Sequence, residues 1–194
     1  MEESPRPVRF LLDQGFPNPP GGLDISVLDR RCEYIHVSAA APDVAATSTP
    51  DWMLYLVART LGFDAIVSRD LAQFDQHEES VALAMASISM VTWTKAIEDP
   101  VAEWGQLLAY GTQVAKVMAR AEFQPTIFYL PAPRLAAGKQ EAASLVPRRL
   151  AGDNKTSYPE WRDGAVKTMR QYLSASKSPR ADAVTKLLDA AATS

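Results

Sequence analysis

The chain has 194 residues, of which 47% are hydrophobic, and its formal net charge is −3. This length accommodates one α/β domain with a sizeable core and a small appendage. The longest weakly polar stretch is far shorter than the roughly 18 apolar residues that a membrane span needs, and the N-terminal MEESPRP lacks the basic and apolar regions of a signal peptide. The single cysteine excludes a disulfide framework or a thiolate metal cluster within the chain. We therefore expect a soluble, cytoplasmic protein without a membrane partner.

Strand and helix signals alternate from the beginning of the chain. The first apolar run, Val8–Leu12, predicts a buried strand, and Tyr34–Val37 predicts a second, short one. A helix is expected over Pro50–Leu61, with Thr49 as its N-cap and Gly62 as its stop. Because this helix is apolar nearly all round, it should be heavily buried.

The alternation continues to about residue 130. Three further strands are expected over Phe63–Ser68, Ile88–Trp93 and Thr126–Leu130. Two helices are expected between them, one over Glu78–Ala86 and a long one from Asp99–Pro100 to Ala121. Strands that alternate with helices indicate a parallel sheet covered by helices. The strands are continuous apolar runs, as a sheet buried on both faces requires. In such folds ligands bind at the carboxyl ends of the strands.

The charge is divided unevenly along the chain. Residues 1–134 hold 10 Lys and Arg against 17 Asp and Glu, a net of −7, whereas residues 135–194 hold 10 against 6, a net of +4. Two helices are expected in the second part, near Pro159–Ala175 and Arg180–Ala192. We predict one domain over 1–134 and a basic helical C-terminal extension over 135–194. The basic charge permits contact with nucleic acid, and a solvated helical surface explains it equally well.

Three aspartates occupy comparable places in this pattern. Asp13 ends the first strand, Asp70 follows the strand over Phe63–Ser68, and Asp51 opens the helix before that strand. In a parallel sheet all three can converge at the carboxyl edge. Converging carboxylates repel one another, and a divalent cation such as Mg²⁺ or Mn²⁺ relieves that repulsion because it prefers oxygen ligands. Taken singly, each aspartate also has an ordinary structural explanation as a turn former, a helix-dipole partner or a cap.

Four other polar residues have expected roles that say less about the function. Ser68 is a candidate hydrogen-bond donor to one of these acids, and Arg69 is expected to form an ion pair with a carboxylate. His36 is expected to be structural, and His77 is expected in an exposed segment that could approach the acids.

The stretches RFLLDQGFP and TPDWMLYLVARTLGFDAIVSRD resemble the prokaryotic PIN-like domain family, the VapC-type toxin ribonucleases and their relatives. The resemblance covers roughly residues 8–134. It implies a three-layer α/β/α fold with a mainly parallel sheet, and a Mg²⁺- or Mn²⁺-dependent ribonuclease. It further implies that Asp13, Asp51 and Asp70 hold the metal and perform the catalysis. RNA is then the substrate, and a cognate antitoxin protein and a second copy of the chain are candidate partners.

The sequence departs from the family after the third acid. Many members carry a further acid two to four residues later, whereas this chain has SRDLAQFDQ. Asp75 is the nearest substitute and is taken as the fourth metal ligand, with Glu78 and Glu79 behind it.

Two other functions remain open at this point. The departure favours a catalytically degenerate binding module that acts through its basic tail. A phosphatase with Asp13 as nucleophile is the other alternative, although such enzymes usually place a second Asp two residues later, where this chain has Gly15.

Overall fold

The computed structural model describes residues 6–19, 25, 29–45, 48–70, 76–95, 98–130 and 140–192. These ranges contain six strands, seven α-helices and a short 3-10 helix, Ala143–Leu145. The strands are β1 (Val8–Leu12), β2 (Cys32–His36), β3 (Ala65–Val67), β4 (Ser89–Trp93), β5 (Thr126–Leu130) and β6 (Gln140–Ala142). The helices are α1 (Val37–Ala40), α2 (Asp51–Thr60), α3 (His77–Ala86), α4 (Pro100–Met118), α5 (Val146–Asp153), α6 (Tyr158–Ala175) and α7 (Ala181–Ala192).

All six strands form one sheet in the order β2-β1-β3-β4-β5-β6. The first five are parallel, and β6 pairs antiparallel with β5. The prediction of an α/β fold with a mainly parallel sheet is confirmed. The carboxyl ends of β1 to β5 therefore lie along a single edge, and we call it the carboxyl edge.

Helices cover both faces of the sheet. Successive strand residues point to opposite faces, so each strand contributes to two layers of packing. Phe10 and Leu12 face α4 and share a core with Trp104, whereas Leu11 and Ile66 face the opposite side. That side is covered by α2 and α3, a layered arrangement compatible with α/β/α. Both faces are buried by hydrophobic contacts, as the continuous apolar runs predicted.

Most predicted elements are present, and the differences lie at their ends. β1 and β5 have the predicted bounds. The N-cap prediction for α2 is wrong: Pro50 is the N-cap, with extended angles of φ −63° and ψ 140°, and Thr49 lies outside the helix. The helix therefore starts at Asp51. The short elements α1, β6 and α5 were not expected, because none carries a long periodic signal.

The C-terminal helices pack against the rest of the protein. α6 contacts α3, and α7 contacts α2. Ala165, Met169 and Leu173 are buried in the same hydrophobic core as Leu11 and Ile66. The apolar stripe on α6 is thus explained by packing. Across the described ranges, no helix is long and apolar enough to cross a membrane.

Candidate functional site

Asp13 lies where β1 meets the carboxyl edge. Its backbone N–H donates to Val67 O at 3.0 Å, which continues the β1–β3 pairing by one residue. Its carbonyl accepts from Phe16 N at 2.9 Å, closing a tight turn. The side chain is 5% exposed, and Gln14 N donates to its Oδ1 at 2.6 Å. The strand and the turn therefore hold this carboxylate rigidly.

Ser68 connects two of the predicted acids. It is fully buried beside Asp13, and its hydroxyl donates to Asp13 Oδ2 at 2.8 Å. The Ser68 Oγ in turn accepts from Asp70 N at 3.3 Å. The expectation that Ser68 hydrogen-bonds an acid is confirmed, and the hydroxyl fixes both the Asp13 carboxylate and the backbone that carries Asp70.

The strand order places this pair in a crevice. β1 lies between β2 and β3, so the chain leaves the ends of β1 and β3 in different directions. A sheet of this order binds ligands outside the carboxyl ends of the two strands where the order reverses. Asp13 follows one of these strands, and Ser68 follows the other.

Asp51 and Tyr55 approach the same crevice from α2. Asp51 is the first residue of the helix, and Tyr55 lies one turn later, 1% exposed. The pKa of the Tyr55 hydroxyl is raised well above its ordinary value of 10.0, chiefly by burial and then by four negative charges. In decreasing order these belong to Glu79, Asp51, Asp13 and Asp70. Because charge effects fall with distance, these four carboxyl groups lie near this hydroxyl, and we call them the acidic cluster.

The three predicted metal ligands are therefore neighbours, at different depths. Asp13 is buried, Asp51 is half-buried, and Asp70 is exposed. Within the described residues, no three His, Cys, Asp or Glu side chains form a group that could hold a metal ion as they stand. The predicted fourth ligand, Asp75, lies outside the described residues.

Glu79 is the fourth acid that the described structure brings to the cluster. It lies in the first turn of α3 and is 6% exposed. The pKa of its carboxyl is raised from 4.5 to about 8, first by burial and then by the charges of Asp51, Asp70 and Glu78. A carboxyl in this state is mostly neutral at pH 7, in contrast to an ordinary glutamate.

Arg69 anchors the opposite side of the crevice. Its Nε lies 2.6 Å from Oε1 of Glu103 on α4, and Glu103 is 1% exposed. A second guanidinium nitrogen donates to Gly15 O at 3.2 Å. The predicted ion pair of Arg69 is confirmed, and it ties the turn after Asp13 and the end of β3 to α4.

Neither histidine joins the acidic cluster through a described contact. His36 caps α1, with Nδ1 2.7 Å from Ser38 Oγ and Nε2 3.2 Å from Phe16 O, so the structural expectation for it is confirmed. His77 begins α3, and its ring packs 4.2 Å from the Trp161 ring and contacts the Trp161 carbonyl. His77 therefore faces α6.

Two residues of the cluster were missed by sequence reasoning. Tyr55 was taken as one of many apolar residues of α2, and Glu79 stood only behind Asp75. A signal existed for each. Tyr55 lies four residues after Asp51, on the same helical face. Glu79 is in the first turn of a helix that follows a strand, and such a helix begins at the carboxyl edge.

Comparisons of the chain with protein-family models, curated proteins and solved structures found no match. By its fold, the protein is an α/β protein with a six-stranded, mostly parallel sheet. Its acidic cluster lies at the carboxyl edge, where β1 and β3 diverge.

Proposed function

We propose that the protein is a Mg²⁺- or Mn²⁺-dependent ribonuclease that hydrolyses RNA phosphodiester bonds at the acidic cluster. One observation carries the proposal: Asp13, Asp51 and Asp70 all lie close enough to the buried Tyr55 hydroxyl for their charges to raise its pKa, at the crevice between β1 and β3. Acidic side chains gathered in this way destabilise a fold unless a cation or a proton compensates them.

The donor set fits a hard divalent cation. The cluster offers carboxylate and hydroxyl oxygens, and no described histidine or cysteine is directed at it. Mg²⁺ and Mn²⁺ prefer such oxygens, and Mg²⁺ needs only a few protein carboxylates because it keeps several waters. When bound, the cation would neutralise a phosphodiester oxygen and lower the pKa of water. Asp13, Asp51 and Asp70 would hold it once their side chains move together, since as they stand they do not form a metal-binding group.

The surrounding residues supply orientation and access. Ser68 fixes one oxygen of Asp13 by its hydrogen bond of 2.8 Å, so this carboxylate cannot rotate freely. Asp70 is exposed and stands at the mouth of the crevice, where an RNA strand would enter. Because residues 1–134 carry a net charge of −7, RNA phosphates are repelled until a cation binds.

The resemblance to PIN-like toxins, and not the geometry, carries one further expectation. A ribonuclease of this kind would be the toxin of a toxin–antitoxin pair, with a cognate protein as its inhibitor. A second copy of the chain is also a candidate partner.

The proposal is tested by cleavage of single-stranded RNA with Mn²⁺ or Mg²⁺. The variant is Asp13→Asn, and the matched control is Asp182→Asn, on the exposed surface of α7. Wild type and control should cleave and should stop on chelation, whereas Asp13→Asn should lose at least about 100-fold, the upper end of the effect of disturbing a metal's surroundings. Equal activity in Asp13→Asn and wild type would refute the assignment. Absence of both cleavage and Mn²⁺ binding in wild type would favour a binding module.

A further inference from the structure

Glu79 is a buried carboxyl, and one of its two oxygens lacks a described hydrogen-bond partner. It is 6% exposed, and its Oε2 has no hydrogen-bond partner among the described residues. No described lysine or arginine forms an ion pair with it. An unpaired buried polar atom costs roughly 1–3 kcal/mol of folding free energy, so a purely structural role for this side chain is unfavourable.

The surroundings of Glu79 are acidic. The charges of Asp51 and Asp70 both act on its carboxyl. Glu79 is also the strongest of the four charges acting on the Tyr55 hydroxyl. Glu79 lies on the buried side of the first turn of α3, which follows β3 in the chain and packs against α2, the helix that begins with Asp51. This position, together with the charge effects, places the carboxyl beside the proposed metal ligands. The negative charges of Asp51 and Asp70 therefore oppose ionisation of Glu79.

Two things can compensate a carboxylate in this place, namely a proton or a cation. A proton removes the charge but leaves Oε2 unpaired, whereas a divalent cation satisfies the oxygen and the neighbouring carboxylates together. We propose that Glu79 is the fourth acidic ligand of the divalent-cation site, in the role that the sequence pattern assigned to Asp75. This inference rests on the proposed function, because it concerns the same site.

Helix α3 suits Glu79 to this role. The helix is held on the sheet by its neighbours α2 and α6, so its first turn is fixed relative to the carboxyl edge. Glu79 lies on the buried face of that turn, whereas Glu78 is half-buried beside it. The two glutamates are therefore a matched pair, identical in chemistry and different in the direction that the helix gives them.

The experiment is calorimetric titration of the metal-free full chain with Mn²⁺, on wild type and on Glu79→Gln, Glu78→Gln, Asp75→Asn and Asp13→Asn. Glu79→Gln preserves the shape of the side chain and removes only its charge. We expect Glu79→Gln to weaken Mn²⁺ binding at least about tenfold, with Glu78→Gln close to wild type. Thermal unfolding with and without Mn²⁺ gives a second readout, because a ligand that binds only the folded state raises Tm by an amount that grows with the logarithm of its concentration divided by Kd. At a Mn²⁺ concentration a few times the wild-type Kd, the rise in Tm should be clearly smaller in Glu79→Gln than in wild type.

The outcomes separate this inference from the proposed function. Wild-type binding that is weakened by Asp13→Asn but not by Glu79→Gln overturns the role of Glu79 alone. Weakening by Asp75→Asn, with Glu79→Gln unchanged, does the same and returns the fourth position to Asp75. If wild type binds no Mn²⁺ at millimolar concentration, the metal site itself is refuted.

Discussion

The buried carboxyl of Glu79 should make the stability of the metal-free protein fall as pH rises. Its pKa is raised to about 8 in the folded protein from an ordinary value of 4.5. Between these two values the folded chain keeps a proton that the unfolded chain has released. Stability therefore decreases with pH, because the folded state binds more protons. The contribution is complete below pH 4.5 and is lost as pH rises through the folded pKa.

The size of this effect follows from the distance between the pH and the folded pKa. At pH 6 the carboxyl lies about 2 units below its folded pKa, and each unit is worth about 1.4 kcal/mol. Glu79 should therefore contribute about 3 kcal/mol at pH 6 and almost nothing at pH 9. Glutamine cannot ionise, so Glu79→Gln should remove this part of the pH dependence. Because ionised Glu79 is the unfavourable form, the variant should gain on wild type as pH rises.

The measurement is urea unfolding in a chelator at pH 6, 7, 8 and 9. The quantity of interest is the difference in unfolding free energy between Glu79→Gln and wild type, because other titrating groups cancel in it. Asp182→Asn, on the exposed surface of α7, is the control, because Asp182 is not among the charges that act on Glu79; its difference should change with pH much less than that of Glu79→Gln. A difference for Glu79→Gln that stays constant within about 0.5 kcal/mol over this range would refute the reasoning.

Two further predictions concern the supports of the fold. Arg69→Met should cost about 2–3 kcal/mol, because it leaves the buried Glu103 without its cation; the loss is below that of a fully buried pair since Arg69 is 38% exposed. In urea unfolding, the Arg69→Met/Glu103→Met double variant should recover part of the loss, and a merely additive double variant would contradict the ion-pair explanation. Gly111→Ala should cost about 1–3 kcal/mol, because its Cβ would lie 1.9 Å from the Tyr34 hydroxyl oxygen. Gly105→Ala in the same helix meets nothing within 4 Å and should gain about 0.5–1 kcal/mol; thermal unfolding that shifts both variants alike would argue against this contrast.

Much of the fold could be predicted because its signals are local. β1 and β5 are short apolar runs bounded by polar or turn residues, and both have the predicted bounds. The acid at the end of β1 and the acid that opens α2 were recognisable for the same reason. The start of α2 was placed one residue early, because Pro50 has an extended backbone and is the N-cap rather than the first helical residue.

The C-terminal helices show where local signals stop. Their amphipathic stripes were visible in the sequence, but a stripe does not name the surface that it covers. In the structure Met169 and Leu173 enter the core that contains Leu11. The basic charge of residues 135–194 therefore belongs to helices packed on the domain.

The sequence by itself determined that strands and helices alternate and that Asp13, Asp51 and Asp70 stand at comparable ends of these elements, because apolar periodicity and turn chemistry are written into neighbouring residues. Only the tertiary structure decided that β3 lies beside β1, which opens the crevice and joins Ser68 to Asp13. It also directed Glu79 from α3 into the acidic cluster. Strand order and helix rotation depend on which surfaces bury one another across the whole chain, and no local pattern encodes them.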